Sequence, residues 1–174
     1  ASVMNAMAYD AGVPGANDAA IGQEEFMKIG MESNFPWMAA NAVSAKTGKP
    51  YTKPYTVIER GGAKIAVLGL VSPGIKAPEG VVIEDIVSAA KKWLPIIELK
   101  ENPDIIVGLF QTEGTDAGVE VAQQVRGFDV IFSGEKSMMT QNPDGKNISV
   151  IGAKGNAASV GIADVVLAWD EACL

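Results

Sequence analysis

The sequence predicts an α/β fold built on a mixed sheet, and three observations carry that expectation. "YTVIER-GG-AKIAVLGLV" sets two β-rich runs on either side of Gly61-Gly62, the two-residue spacing of a β-hairpin. Three almost wholly apolar runs, Ile65 to Val71, Ile105 to Phe110 and "FDVIFSG", have the composition of strands buried on both faces. Segments with helical spacing of apolar residues separate them, the alternation that builds parallel strands with crossover helices, while the consecutive strands expected at the end of the chain point to a mixed sheet or a two-sheet sandwich.

Each element follows from its local pattern. Ser2 to Ala8 reads as the end of a helix, with Val3, Met4 and Met7 apolar, and "YDAGVPG" as a short strand stopped by Pro14-Gly15. Gln23 to Met31 is helical, with Phe26, Met27 and Ile29 apolar and Gly30 near its end. "FPWMAANAV" reads as a short apolar strand running into a loop, Ser44 to Pro54. After the hairpin, Ile83 to Lys100 carries helical spacing through Ile86, Val87, Ala90, Trp93, Leu94 and Ile97. Pro95 falls inside that pattern and is expected to kink or split the helix. Asp116 to Val125 is a short helix, "NPDG" a turn, "NISVIGA" a strand, and "VGIADVVLAWD" a long final strand. Nothing in the chain reads as a repeat or an interdomain linker, so residues 1–174 are expected to form one domain.

Composition removes several kinds of chemistry. The 174 residues contain no histidine, so Ser-His-Asp and Cys-His catalysis and His-ligated zinc are excluded. The lone Cys173 builds neither an internal disulfide nor a thiolate cluster. A net charge of −7 without a basic cluster argues against a nucleic-acid partner. No apolar run reaches the roughly 18 residues of a spanning helix, and the N-terminal residues have neither the basic nor the apolar region of a signal peptide.

In open α/β sheets ligands collect beyond the carboxyl ends of the strands. Those ends are Gly15-Ala16-Asn17-Asp18, Asn41, Ser72-Pro73, Gln111-Thr112-Glu113-Gly114, Gly134-Glu135-Lys136-Ser137 and Gly152 to Asn156. If the strands are neighbours, these segments line one rim.

The runs "ASVMNAMAYDAG", "AKTGKPYTKPYTVIERGGAKIAVLGLVSP", "KENPDIIVGLF", "GFDVIFSG" and "GAKGNAASVGIADVVLAWD" resemble the metallophosphatase (calcineurin-like) domain of the secreted 5'-nucleotidase/2',3'-cyclic phosphodiesterase family. The resemblance implies a four-layer α-β-β-α sandwich, here without its first strands, and a periplasmic or cell-surface location. It also implies an ancestral site in which two divalent metals activate a water and clamp phosphoryl oxygens. The family's Asp-x-His and Gly-Asp motifs would precede Ala1. Its Gly-Asn-His-Asp/Glu motif falls on Gly15-Ala16-Asn17-Asp18, so the catalytic His position is Asn17. Its strand-end His falls on Gln111, and its Gly-His-x-His on Gly134-Glu135-Lys136-Ser137. Each motif keeps its glycine or its strand and lacks its imidazole.

The expected binding residues are therefore Asn17, Asp18, Asn41, Gln111, Glu113, Glu135, Lys136 and Ser137. Neither a catalytic residue nor a cofactor is expected. Asp18, Glu113 and Glu135 are weak candidates for a single hard cation, with solvated loop carboxylates as the plainer alternative. Lys136 with Ser137 offers a point charge and a hydroxyl to an anion, against the alternative of a solvated lysine. "GAKGNAAS" reads as a backbone cradle or a plain loop, and Met138-Met139 as a thioether site or core filler. Trp37, Trp93 and Trp169 read as core, and Tyr51 and Tyr55 flank an extended Pro-containing stretch. The expected function is a non-catalytic binding or structural module for a small anionic or nucleotide-like ligand, with a fragment of a working metal-dependent phosphoesterase as the alternative. A protein partner or second copy is expected over an exposed sheet edge.

Overall fold

The computed structural model describes residues 1–112, 117–134, 139–141, 148–153 and 159–168. Its centre is a six-stranded mixed sheet. In chain order the elements are α1 (Ser2–Ala6), α2 (Ala16–Ala20), α3 (Gln23–Glu32), β1 (Ala42–Ser44), β2 (Tyr55–Arg60), β3 (Ala63–Val71), β4 (Val81–Ile83), α4 (Ile86–Glu101), β5 (Ile105–Gln111), α5 (Ala117–Gln124), β6 (Val130–Ser133), β7 (Met139–Gln141) and β8 (Ser149–Gly152). The large sheet runs β2-β3-β5-β6-β8-β7, while β1 and β4 pair as a separate antiparallel ribbon.

The hairpin forms where its glycines require it. Gly61 and Gly62 both have positive φ, 59° and 84°, as a type I′ connection demands, and Arg60 pairs with Ala63 across the turn. From β3 the sheet proceeds through parallel pairs β3–β5, β5–β6 and β6–β8, each returning through a connection long enough for a crossover. Helices α4 and α5 supply the first two crossovers, so the carboxyl ends of β3, β5 and β6 lie side by side.

One face of this sheet makes the main core. Ala66, Leu68 and Leu70 of β3, Ile106 and Phe110 of β5, Ile131 of β6 and Val150 of β8 point to it by strand alternation. Ile86, Val87, Ala90, Leu94 and Ile97 of α4, with Val121 and Ala122 of α5, close over them. The other face is crossed by residues 38–40, where Ala40 N–H donates to Gly69 O at 2.8 Å. A Cβ at Gly69 would lie 2.5 Å from Met38 Cβ, so only a glycine admits this crossing. The described residues thus supply one sheet and its helical layer, half of the expected sandwich.

Several local expectations need correcting. The helix expected from Ile83 begins at Ile86, because Asp85 accepts Ser88 N–H at 2.8 Å as its N-cap, and Ile83 instead pairs with Ala42 in the β1–β4 ribbon. Pro95 does not split α4, which runs as one element to Asn102 in a left-handed C-cap conformation. "YDAGVPG" contributes only an isolated bridge between Gly12 and Trp37. Strands β4 and β7 were not foreseen. The long final strand is absent, since the described residues 159–168 carry no strand pairing. Val160, Ile162 and Val166 are exposed there, and Ala163, Val165 and Leu167 line a groove with Ile65, Val107 and Phe132 on the second face of the sheet. The apolar pattern is strand-like, but among the described residues this segment has no neighbour to complete a ladder.

Replacing Asp85 by Ala is expected to cost about 1 kcal/mol at pH 7, measured by chemical denaturation. The bond from Ser88 holds the Asp85 carboxyl below its ordinary value of 3.8. Its stabilisation is therefore full above that value and lost as pH falls through the lowered one, so the difference between wild type and Asp85→Ala should vanish in acid.

Candidate functional site

The parallel strands bring three segments of the expected rim together. Ser72 N–H donates to Gln111 O at 2.8 Å, and Gly134 N–H to Phe110 O at 2.8 Å, so the hydrogen bonding continues past the ends of β3, β5 and β6. The turn into α2 approaches the same place. A Cβ built on Gly15 would sit 3.8 Å from Gln111 Cδ, and one on Gly134 would sit 2.7 Å from Gln111 Oε1. Gln111 therefore lies between the two glycines that the sequence placed at the rim, and a side chain on Gly134 would displace its amide.

The charges and protons of this rim are constrained. Asp18 Oδ2 accepts Gly15 N–H at 2.8 Å, closing the first turn of α2 upon itself. Asn17 beside it is exposed. Beneath Gln111, buried Thr112 places its hydroxyl 2.8 Å from Ser133 Oγ and 3.2 Å from Gly134 O. Thr112 has a single hydroxyl proton. Donating it to Gly134 O leaves Ser133 to donate to Thr112, which satisfies both buried hydroxyls at once. This pair was not singled out from the sequence. Its only signal was a small hydroxyl residue at each of two neighbouring strand ends.

Asn41 lies beside Val71, the last residue of β3, with its amide turned to the backbone. It is fully buried, and its Nδ2 donates to Val71 O at 2.7 Å and to Glu84 O at 2.9 Å. Its Oδ1 accepts Val71 N–H at 3.0 Å, and its own carbonyl accepts Glu84 N–H at 2.8 Å. Both amide protons are spent on backbone, so this side chain ties the end of β3 to the segment leading into α4. Glu113, Glu135, Lys136 and Ser137 lie outside the described residues, as do Met138, Trp169, Cys173 and most of the Gly152 to Ser159 loop.

A two-metal centre needs several ligands, carboxylates to balance its charge and imidazoles as neutral donors. Among the described residues no group of three or more His, Cys, Asp or Glu side chains could hold a metal ion. At the rim these residues are Gln111, which already has an interaction partner, two mutually bonded hydroxyls, and one carboxylate already accepting a backbone N–H, with the exposed Asn17 next to it in sequence. That donor set does not fit a pair of divalent ions. It can donate and accept hydrogen bonds, but an amide neither takes nor gives a proton near neutral pH.

A mixed sheet with helices over one face, and a rim at the carboxyl ends of its parallel strands, define an α/β domain of the kind that binds ligands at its strand ends. Comparison with known proteins places the chain more narrowly: its homologues and structural neighbours are 5'-nucleotidases, 2',3'-cyclic-nucleotide phosphodiesterases and calcineurin-like phosphoesterases. A 5'-nucleotidase of Vibrio cholerae is 33% identical over 112 residues, 61% of this chain and 20% of that protein. The trifunctional nucleotide phosphoesterase YfkN of Bacillus subtilis is 31% identical over 159 residues, 78% of this chain and 11% of that protein. A crystal structure of calcineurin-like phosphoesterase YfkN superimposes with a TM-score of 0.74 at 26% identity, covering 88% of this chain and 56% of that one. The chain thus spans a fifth or less of the length of these two curated relatives. No family model matches it.

Asn41→Ala would strand Val71 N–H, Val71 O and Glu84 O, and is expected to cost about 3 kcal/mol in denaturant unfolding. Asn17→Ala, at an exposed position, should change stability by no more than about 0.5 kcal/mol.

Proposed function

We propose that this chain is a metallophosphatase-fold domain that binds a small anionic, nucleotide-like ligand at its strand-end rim without hydrolysing it. The convergence of Gly15, Gln111 and Gly134 carries the reading: the backbone positions of a phosphoester site come together around a neutral amide. Gln111 stands where the resemblance would have an imidazole, and Asn17 stands where it would have the catalytic one. Both retain hydrogen-bonding capacity and lack a titrating proton. Lys136, two residues beyond Gly134, supplies the positive charge for an anion, and Ser137 a hydroxyl. The nucleotide-like character of the ligand rests on the relatives, whose names are those of nucleotidases and nucleotide phosphodiesterases. A periplasmic or cell-surface location rests on the family resemblance alone, and no helix among the described residues is long and apolar enough to cross a membrane.

Equilibrium dialysis of AMP against the chain with a chelator present tests this reading. Saturable binding that persists in chelator and weakens at least tenfold in Lys136→Ala is expected. Binding that appears only with added divalent metal would overturn it in favour of a phosphoesterase fragment, and binding indifferent to Lys136→Ala would move the ligand away from the rim.

A further inference from the structure

Away from the rim, α3 and the segments 35–37 and 51–53 enclose a cleft of about 360 Å³. Its walls are mainly apolar and include four aromatic residues, Phe26, Phe35, Trp37 and Tyr51, with Lys53 also lining it. Trp37 is held on several sides. Its Nε1–H donates to Ser33 Oγ at 2.9 Å, and Ser33 donates on to Ile29 O at 2.7 Å. Phe26 meets the indole edge-on at 5.9 Å and 67°, and Phe35 lies against it at 5.4 Å. The indole is therefore set before any ligand arrives, which reduces the ordering cost of binding.

Gly30, near the end of α3, is exposed and also lines the cleft. A Cβ built on it meets nothing within 4 Å, so a larger side chain can be placed there without a clash.

We propose that this cleft binds a planar aromatic small molecule bearing a negative group, with its ring against Trp37 and Phe26 and its charge toward Lys53. Rings of this kind gain from offset or edge contacts with fixed aromatic walls. Lys53 uses one of its three donors on Thr56 Oγ1 at 3.4 Å, and the others remain for an anion. The occupant is small because the cleft is small, and aromatic because four of its lining residues are. The proposal is independent of the reading of the rim.

Calorimetric titration of the full chain with 2-naphthoate, and with cyclohexanecarboxylate as a non-aromatic anion, provides the test. One-to-one saturation by naphthoate is expected, with cyclohexanecarboxylate at least tenfold weaker. Gly30→Leu fills the cleft while improving helix propensity, so it should weaken naphthoate at least tenfold with Tm unchanged or raised. Lys53→Gln should weaken it several-fold. No saturable binding, equal binding of the two anions, or binding untouched by Gly30→Leu would overturn the proposal. A lowered Tm in Gly30→Leu would also overturn it, by showing that the glycine serves the fold.

Discussion

Burial of one face of β3, β5 and β6 under α4 and α5 fixes where the rest of the molecule lies. Leu68, Leu70, Ile106, Phe110 and Ile131 can leave water together only if their strands run in parallel register, and that register puts Val71, Gln111 and Ser133 at neighbouring ends. The core thereby builds the rim without any rim residue contributing to the choice. Asn41 then secures the geometry from the side, spending its amide on Val71 and Glu84.

That separation explains the character of the site. Its described side chains are amides, hydroxyls and a carboxylate bonded to the nearest backbone N–H. Hydrogen bonds can orient a ligand there. Proton transfer needs a group that titrates near the working pH, and metal activation of water needs a charged ligand set. Histidine commonly supplies the titrating group and a neutral metal ligand in such sites, and the sequence contains none.

Much of the sheet was legible in the sequence because local rules determine it. Gly61-Gly62 named the hairpin, and the apolar runs from Ile65 and Ile105 named buried strands. Gln111 and Gly134 could be assigned to one rim because the ends of neighbouring parallel strands lie side by side, whereas Gly15 reaches it through the turn into α2. The hydrogen bonds of Asn41 were not legible because its partners, Val71 and Glu84, are 30 and 43 residues away and only the folded chain joins them. The tail from Val160 misled for the opposite reason: its composition is that of a strand, but a strand also needs a neighbour. The aromatic cleft left no sequence signal at all, since Phe26, Gly30, Trp37 and Tyr51 share no period.

The rate at which the purified chain turns over a phosphate monoester, measured with saturating Mn²⁺ and again after chelation, bears most directly on the central claim. The proposed role, binding without hydrolysis, predicts the uncatalysed rate under both conditions. Turnover that rises with Mn²⁺ and falls with the chelator, in a preparation of verified mass, would contradict it.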